Sequence, residues 1–401
     1  MGATTVPRVG SRRLDPEVAE ARGGTVADTT RRRRVLVAPD KFKGSLTALE
    51  VARHVGAGLR RVAPGTAVTA LPVADGGDGT VAAALAAGFE RRAARVTGPL
   101  GEPVDAAYAL RGADGTAVVE MAEASGLRLL PDGAFAPLTA TTRGTGELLL
   151  AALDAGARTI VLGVGGSATT DGGAGMLTAL GARLTDARGR TLAPGGAALG
   201  ALHHADLSAL DARLARTSLV LAGDVDNPLT GPRGAAAVYG PQKGASPEDV
   251  AVLDAALAHY ARVLDGGELA GAPGAGAAGG LGYGALAGLG AAFRPGIEVM
   301  LEVLGFREAL AEADLVVTGE GSLDEQTLHG KAPVGVARAS SGTPVVAVCG
   351  RLALGPAALA GAGIERAYAL TDLEPDARRC MADAGPLLEL TAERIARDYL
   401  G

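Results

Sequence analysis

The feature that most constrains this chain is a repeated unit: an apolar run rich in β-branched residues, a loop rich in Gly and Asp, then an alanine-rich helical stretch. The apolar runs lie at residues 35–38, 67–71, 159–162, 219–221, 314–318 and 344–348. Repeated strand, loop and helix units are typical of mainly parallel sheets that are covered by helices. The sequence therefore predicts an α/β fold built on parallel sheets.

The loops that follow the predicted strands carry many carboxylates. In open parallel sheets, ligands bind outside the carboxyl ends of the strands, where the strand order reverses. Each loop leaves the carboxyl end of a predicted strand, so we expect loops that are distant in sequence to meet at one cleft. The acidic residues in these loops are Asp40, Asp75, Asp78, Asp171, Asp224, Glu320 and Asp324.

Composition excludes several classes of function. The 401 residues are 48% hydrophobic, too apolar for general disorder, and 3% aromatic without Trp, which argues against a stacking platform for single-stranded nucleic acid. A net charge of −6 gives no bulk attraction to DNA or to anionic membranes. The uncharged stretch 270–293 is mostly Gly and Ala, which favours close packing over a membrane span. Two cysteines without metal-site spacing indicate a reducing cytoplasm.

Turn residues predict where the chain crosses between domains. The Gly- and Pro-rich turn at 98–103 suggests a crossing into a second domain, and the turn at 294–296 suggests a return. We therefore expect one discontinuous domain of residues 34–98 and 295–401, with residues 99–294 inserted into it. Four consecutive arginines stand at residues 31–34. Residues 1–33 contain too many acids for a transit peptide, so we expect a disordered arm.

Lysine, asparagine and glutamine are rare in this chain, and each one falls in a loop motif. They are Lys41, Lys43, Lys243, Lys331, Asn227, Gln242 and Gln326. In a chain that prefers arginine, lysine is expected to remain where a compact ammonium group cannot be exchanged for a guanidinium fork. Turn preference accounts for the asparagine but not for the lysines or glutamines. The rare residues therefore indicate the same cleft as the carboxylates.

Residues in these loops together suit phosphoryl transfer. The glycine-rich segment 165–173 offers unobstructed backbone N–H groups and precedes a predicted helix, and both features favour phosphate. Crowded carboxylates raise one another's pKa unless cations offset them, and both lysine and Mg²⁺ can do so. Metal, neutralised charge and a positioning base are the usual components of phosphoryl transfer.

Two other functions fit parts of the sequence. Residues 163–168 satisfy a loose G-x-G-x-x-A dinucleotide pattern, with Asp186 near the ribose-binding distance, which allows an NAD-dependent hydroxy-acid dehydrogenase. Asp171 argues against it, because its charge would lie beside the pyrophosphate. The second alternative is a non-catalytic nucleotide-binding regulatory protein, in which the basic arm would contact a partner.

Six segments of this chain resemble the type-1 glycerate kinases, and they occur in that family's order. They are residues 38–45 (APDKFKGS), 75–80 (DGGDGT), 165–169 (GGSAT), 224–229 (DVDNPL), 276–282 (GAAGGLG) and 318–331, which contains TGEG, DEQT and GK. The resemblance covers about residues 34–400. Thr170, Gly223 and Ser322 depart from it, because Asn, Cys and Arg are common at those positions in the family.

The resemblance implies ATP-dependent phosphorylation of D-glycerate with Mg²⁺, and 2-phosphoglycerate is the expected product. It also implies two α/β domains, a discontinuous flavodoxin/Rossmann-like parallel-sheet domain and a second α/β domain inserted into it, with the active site between them. The partner would be the small molecule D-glycerate, with no nucleic acid and no membrane. The sequence leaves open whether the chain forms a homodimer and what the arm does.

The loop motifs also give a hypothesis for the site residues. Asp78 or Asp171 would accept the proton of the attacking hydroxyl, and Lys43 would act beside it. Substrate binding is assigned to Asp40, Lys43, Ser45, Asp75, Asn227 and Arg294. ATP binding is assigned to Gly165, Gly166, Ser167, Thr318, Gly319 and Lys331, and Mg²⁺ binding to Glu320 and Asp324. Which glycerate hydroxyl reacts is left open.

Overall fold

The computed structural model describes residues 1–2 and 32–401. Contacts between Cα atoms divide the chain into Met1–Arg32 and a compact unit, Arg33–Gly401, which holds every element below. The disordered arm expected over residues 1–33 therefore lies almost entirely outside the described residues.

Strands of the compact unit form two main sheets and one short two-stranded antiparallel sheet. They are β1 (Arg34–Pro39), β2 (Ala67–Ala70), β3 (Glu90–Thr97), β4 (Pro103–Arg111), β5 (Thr116–Glu120), β6 (Thr159–Gly163), β7 (Arg183–Thr185), β8 (His204–Asp206), β9 (Ser218–Ala222), β10 (Ala292–Arg294), β11 (Leu315–Leu323), β12 (Val345–Leu352) and β13 (Arg366–Ala369).

Helices cover the faces of these sheets. They are α1 (Ala48–Val62), α2 (Thr80–Ala86), α3 (Ala122–Ser125), α4 (Arg143–Asp154), α5 (Ala174–Ala179), α6 (Ala235–Tyr239), α7 (Pro247–Leu264), α8 (Ala277–Tyr283), α9 (Gly296–Val303), α10 (Phe306–Leu310), α11 (Glu325–Leu328), α12 (Ala332–Ala339), α13 (Pro356–Gly361), α14 (Ala377–Ala382) and α15 (Ala384–Tyr399). No helix of the described residues is both long and apolar enough to span a bilayer.

The first sheet is entirely parallel and buried on both faces. Its strand order is β13-β12-β11-β1-β2. Because alternate residues of a strand face opposite sides, Val35 and Val37 pack towards α1 and α15, whereas Leu36 packs on the other face. Helix α1 begins with a capping box, in which the side chains of Thr47 and Glu50 each accept from the other's backbone N–H.

The second sheet is mixed, with the order β10-β9-β6-β5-β4-β3. Strands β5, β6, β9 and β10 are parallel, and β4 and β3 continue the sheet as antiparallel strands. The sequence predicted the parallel strands β6 and β9 but not this antiparallel extension, because β3 is Arg-rich and largely exposed on one face.

The order of the first sheet creates a crevice at its carboxyl edge. From β1 the chain moves through α1 to β2 on one side, whereas β11, β12 and β13 follow one another on the other side. The loops after β1 and β11 therefore diverge, and such a reversal of strand order is where open α/β sheets bind ligands. The second sheet lies between β2 and β11 in sequence.

The predicted α/β fold with parallel sheets is confirmed. The domain division at residues 98 and 295 stays a prediction, and strand β3, which precedes residue 98, pairs with the second sheet. Residues 33–401 form a single compact unit by contact clustering.

Candidate active site

A cavity of about 730 Å³ opens at the reversal point of the first sheet, and we call it the central cavity. Its polar lining comes from four segments that are far apart in sequence. These residues are Asp40, Lys41, Lys43, Ser45, Asp75, Asp78, Arg128, Glu320, Ser322, Asp324 and Lys331. The convergence of loops that the sequence suggested is therefore present.

The loop after β1 places Asp40 inside this cavity. The backbone N–H of Asp40 donates to the carbonyl of Gly319 on β11 at 2.8 Å, which extends the sheet pairing by one residue. The side chain of Asp40 is only 8% exposed, and its Oδ1 accepts from the backbone N–H of Lys41 at 2.6 Å. Asp40 is thus held by the end of the sheet, whereas Lys43 on the same loop is exposed at the rim.

The loop after β2 joins the two sheets. The carbonyl of Gly76 accepts from Val164, directly after β6, at 3.0 Å. On the same loop, the Oδ1 of Asp78 accepts from the Nη1 of Arg128 at 3.2 Å, and the carbonyl of Asp78 accepts from the ammonium of Lys41. Arg128 belongs to the 3₁₀ turn Leu127–Leu129 beside the second sheet. A cation from each side therefore fixes Asp78 at the cavity mouth.

The end of β11 supplies the third wall. Glu320 accepts from the hydroxyl of Thr327 at 2.5 Å. Asp324 caps α11, because its Oδ1 accepts from the backbone N–H of Gln326 at 3.0 Å and its Oδ2 accepts from the Ser322 hydroxyl at 3.3 Å. Lys331 immediately precedes α12 and donates to the side-chain oxygen of Gln326 at 3.3 Å.

A smaller cavity of about 390 Å³ continues from the central one, and we call it the bridging cavity. The two cavities share Asp75 and Lys331. The rest of its wall is mostly backbone and small residues, with one carboxylate, one amide and one imidazole: Gly76, Gly77, Val164, Gly165, Gly223, Asp224, Val225, Gln326 and His329. A glycine-rich wall beside a lysine is suited to phosphate oxygens, because the backbone can approach them closely.

Carboxylates crowd at the junction of the two cavities. The pKa of Asp40 is raised to about 7. Burial has the largest effect, the charges of Asp75 and Glu320 act in the same direction, and the charge of Lys41 opposes them. The pKa of Asp224 is raised to about 8, mainly by burial and also by the nearby negative charge of Asp75. Burial also raises the pKa of Glu320, although the Thr327 hydroxyl opposes it. This cluster holds more negative charge than its lysines offset.

The donor set at this junction fits Mg²⁺. Asp75 and Asp224 both line the bridging cavity, and the negative charge of Asp75 raises the pKa of Asp224, so the two carboxylates lie close enough to share a cation. Among the described residues, no group of three or more His, Cys, Asp or Glu side chains is placed to hold a metal. Mg²⁺ keeps several waters and usually binds one or two carboxylates together with substrate phosphates, so a pair suffices.

Asp171, which was assigned a catalytic role from its loop, does not line either cavity. Its side chain is 1% exposed and accepts from the backbone N–H and hydroxyl of Thr142 at 2.8 and 2.9 Å, and from the N–H of Gly175 at 3.2 Å. Lys243 is buried near Asp171. Burial lowers the pKa of Lys243 to about 7, and the negative charge of Asp171 opposes this shift. Asp171 therefore joins loops of the second sheet through buried hydrogen bonds, and its catalytic assignment stays a prediction.

Five further residues assigned to the site also lie outside these cavities. Thr318 is buried and donates to the carbonyl of Ala38, and Gly319 packs within the first sheet. The backbone of Ser167 forms an isolated antiparallel β-bridge with that of Gly126.

The remaining two of these five residues make bonds of their own away from the cavities. Asn227 donates to the carbonyl of Arg233 and accepts from Tyr239, and Arg294 pairs with Glu302 at 2.8 Å. None of the five lines either cavity, and their assigned roles stay predictions.

Sequence reasoning missed Arg128, gave Lys41 no role and left Asp224 unassigned. Arg128 lines the central cavity, yet it follows a short helix with no Gly or Asp motif of its own, so no local pattern marks it. Lys41 and Asp224 did carry a signal, because each lies in a motif that was recognised. Asp186, proposed for ribose in the dehydrogenase alternative, closes a turn by accepting from the N–H groups of Arg188 and Arg190.

Comparison with known proteins gives consistent findings. Residues 35–400 match the glycerate kinase family. A glycerate kinase of Bacillus subtilis (strain 168) is 47% identical over 90% of this chain and 97% of its own length. A glycerate 2-kinase of Escherichia coli (strain K12) is 46% identical over 80% of this chain and 85% of its own length. A crystal structure described as that of a glycerate kinase 2 from Salmonella typhimurium LT2 superposes with a TM-score of 0.80 at 44% identity, over 92% of this chain and 98% of that one.

Proposed function

Because the chain belongs to the glycerate kinase family, we propose that it transfers a phosphoryl group from ATP, with Mg²⁺, to a hydroxyl of D-glycerate. The observation that carries the proposal is the continuity of the two cavities. The central cavity, with its charged wall, can hold a small hydroxy acid, and the glycine-rich bridging cavity can hold phosphates. Asp75 and Lys331 belong to the walls of both. The family match favours this over the dehydrogenase and the non-catalytic alternatives.

Glycerate would lie in the central cavity. Its carboxylate needs cationic partners, and Lys43 and Arg128 both line that space. Asp40 is the carboxylate enclosed by the wall, so it would accept the hydrogen bond, and then the proton, of the attacking hydroxyl. Asp78 remains the second candidate for this step, although its side chain is 56% exposed and already paired with Arg128.

The phosphates would lie in the bridging cavity. Lys331 reaches both cavities and would offset charge on the phosphoryl group as it moves from one to the other. Backbone groups of the loop 76–77 and of Gly165 would approach the oxygens on the other side.

Mg²⁺ would be held by Asp75 and Asp224, with Glu320 near by. The sequence assigned Glu320 and Asp324, and the carboxyl oxygens of Asp324 already accept from the N–H of Gln326 and from the hydroxyl of Ser322. When bound, the ion supplies neutralisation of the negative charge that develops on the phosphate oxygens. Asp75 and Asp224 would orient it beside the wall that holds those oxygens.

We propose 2-phosphoglycerate as the product and the cytoplasm as the location. The first rests on the E. coli relative that is called a glycerate 2-kinase. The second rests on Cys349 and Cys380, which are both buried free thiols, as a reducing compartment favours.

The test of this function is a coupled assay of ADP release with purified protein, ATP, Mg²⁺ and D-glycerate. We expect release that depends on glycerate, and phosphorus NMR should show phosphate on the second carbon. Release at the same rate without glycerate would contradict the kinase proposal, and phosphate on the third carbon would contradict only the product.

Replacement of Asp40 by Asn tests the proton acceptor. We expect kcat to fall by about 10²–10⁴ with a small change in KM, because an amide cannot accept the proton. Asp132→Asn, an exposed site outside the cavities, is the matched control. If Asp40→Asn keeps near-normal kcat while Asp78→Asn loses it, the role belongs to Asp78.

A further inference from the structure

A third cavity of about 670 Å³ lies beyond the bridging one, and we call it the outer cavity. It is enclosed by the loop after β9, the start of α9, the start of α10 and one face of α12. The outer and bridging cavities share Gly223, Asp224, Val225 and His329. The central, bridging and outer cavities therefore form one continuous row, and the function proposed above uses only the first two.

The inner wall of the outer cavity is apolar. Phe293 lies on β10, Ile297 and Leu301 on α9, and Phe306 at the start of α10, and the last three are buried. Ligand pockets of about 300–1,000 Å³ with mostly apolar walls and a few polar groups typically hold small organic molecules. A flat heterocycle is the kind of group that gains from contact with Phe and aliphatic side chains.

The charged residues at the rim of the outer cavity indicate whether phosphates or sugar hydroxyls would bind there. Glu298, Glu302 and Glu308 line this cavity together with Asp224 and Asp226, against Arg307 and Arg338. Excess negative charge disfavours phosphates, whereas sugar hydroxyls can donate to carboxylates. The bridging cavity also contains Asp75 and Asp224, but its glycine backbone, Lys331 and the Mg²⁺ proposed for those two carboxylates favour phosphates there.

We infer that the outer cavity binds the nucleoside part of the phosphoryl donor, so that base and ribose, phosphates, and acceptor acid occupy the outer, bridging and central cavities in turn. This inference rests on the proposed kinase function. It assigns to α9 and α12 a role in donor binding that no motif of the sequence indicated.

Ala339 offers a direct test, because it is exposed on the cavity-facing side of α12, far along the helix from Lys331. Ala339→Trp would fill the outer cavity while leaving the bridging one open. Ala360→Trp, at an exposed alanine of α13 outside the cavities, is the matched control.

Binding is measured by calorimetry with ADP and, separately, with tripolyphosphate, in the absence of glycerate. We expect Ala339→Trp to raise the Kd of ADP at least tenfold, with the Kd of tripolyphosphate and the KM for glycerate changed less than twofold. The Ala360→Trp control should match the wild type in all three.

An unchanged Kd of ADP in a folded Ala339→Trp variant would overturn the inference, as would an equal loss of ADP and tripolyphosphate. If the Trp variant fails to fold, Ala339→Leu should give a smaller loss in the same direction. The proposed function fails separately: wild-type protein that binds ADP but shows no glycerate-dependent turnover would refute the kinase and leave the nucleoside site standing.

Discussion

At the scale of single residues, rarity in the sequence was informative for lysine and less so for asparagine. Lys41, Lys43 and Lys331 line the central cavity. Lys243 does not, because it is buried and donates to the carbonyl of Thr169 at 2.5 Å. Asn227 stabilises a turn through its own hydrogen bonds. A rare polar residue thus indicates a position that requires its particular side chain. Whether that position lines the cavity or stabilises a buried contact depends on the tertiary structure.

Glu120 gives a prediction about pH. Its Oε2 accepts from the N–H groups of Gly79 and Val81, and its Oε1 has no hydrogen-bond partner among residues 1–2 and 32–401. Burial raises the pKa of Glu120 to about 7 from 4.5. The folded state then binds more protons than the unfolded state between pH 4.5 and 7, so this contribution to stability is present at low pH and is lost as the pH rises.

We therefore expect Glu120→Gln to gain stability relative to the wild type as the pH rises through this range. The gain should approach about 1.4 kcal/mol per pH unit. Urea unfolding of both proteins at pH 5, 6, 7 and 8 measures it. A difference in free energy of unfolding that does not vary with pH would contradict the prediction.

At the scale of elements, the loop after β2 is positioned by close backbone contacts. A Cβ on Gly296, at the start of α9, would lie 1.8 Å from the carbonyl oxygen of Asp75. A Cβ on Gly165 would lie 2.5 Å from the Cα of Gly77. The sequence placed Asp75 and Asp78 in a loop, but only the packing of this loop against the second sheet brings them to the junction of the cavities.

Gly296→Ala should consequently displace the Asp75 loop. We expect kcat to fall at least tenfold and the free energy of unfolding to fall by about 1–3 kcal/mol, because backbone atoms must move to admit the methyl group. Gly112→Ala, where a Cβ would meet no atom within 4 Å, is the control and should behave as the wild type. Full activity in Gly296→Ala would show that the loop tolerates displacement.

At the scale of the whole molecule, the compact unit contains every proposed site residue. The three cavities are lined by residues between 40 and 384, and the family match spans residues 35–400. The basic segment before residue 32 lies outside the match, so the proposed chemistry needs no group from it.

Deletion of residues 3–31 should therefore leave kcat and the KM for glycerate within about twofold of the full chain. The coupled assay with both proteins, at equal concentration and salt, measures this. Loss of turnover in a truncated protein whose thermal unfolding is unchanged would mean that the segment takes part in the site.

The sequence by itself determined the fold class, the loops that line the proposed site and the kind of chemistry, because each depends on local features: apolar runs, glycine-rich turns and residue types that bind phosphate or metal. It did not determine which acid faces the cleft. Asp40 and Asp171 both follow predicted strands, yet the first lines the central cavity and the second is enclosed by Thr142 and Gly175. That difference depends on long-range packing, because burial and hydrogen-bond partners come from segments distant along the chain.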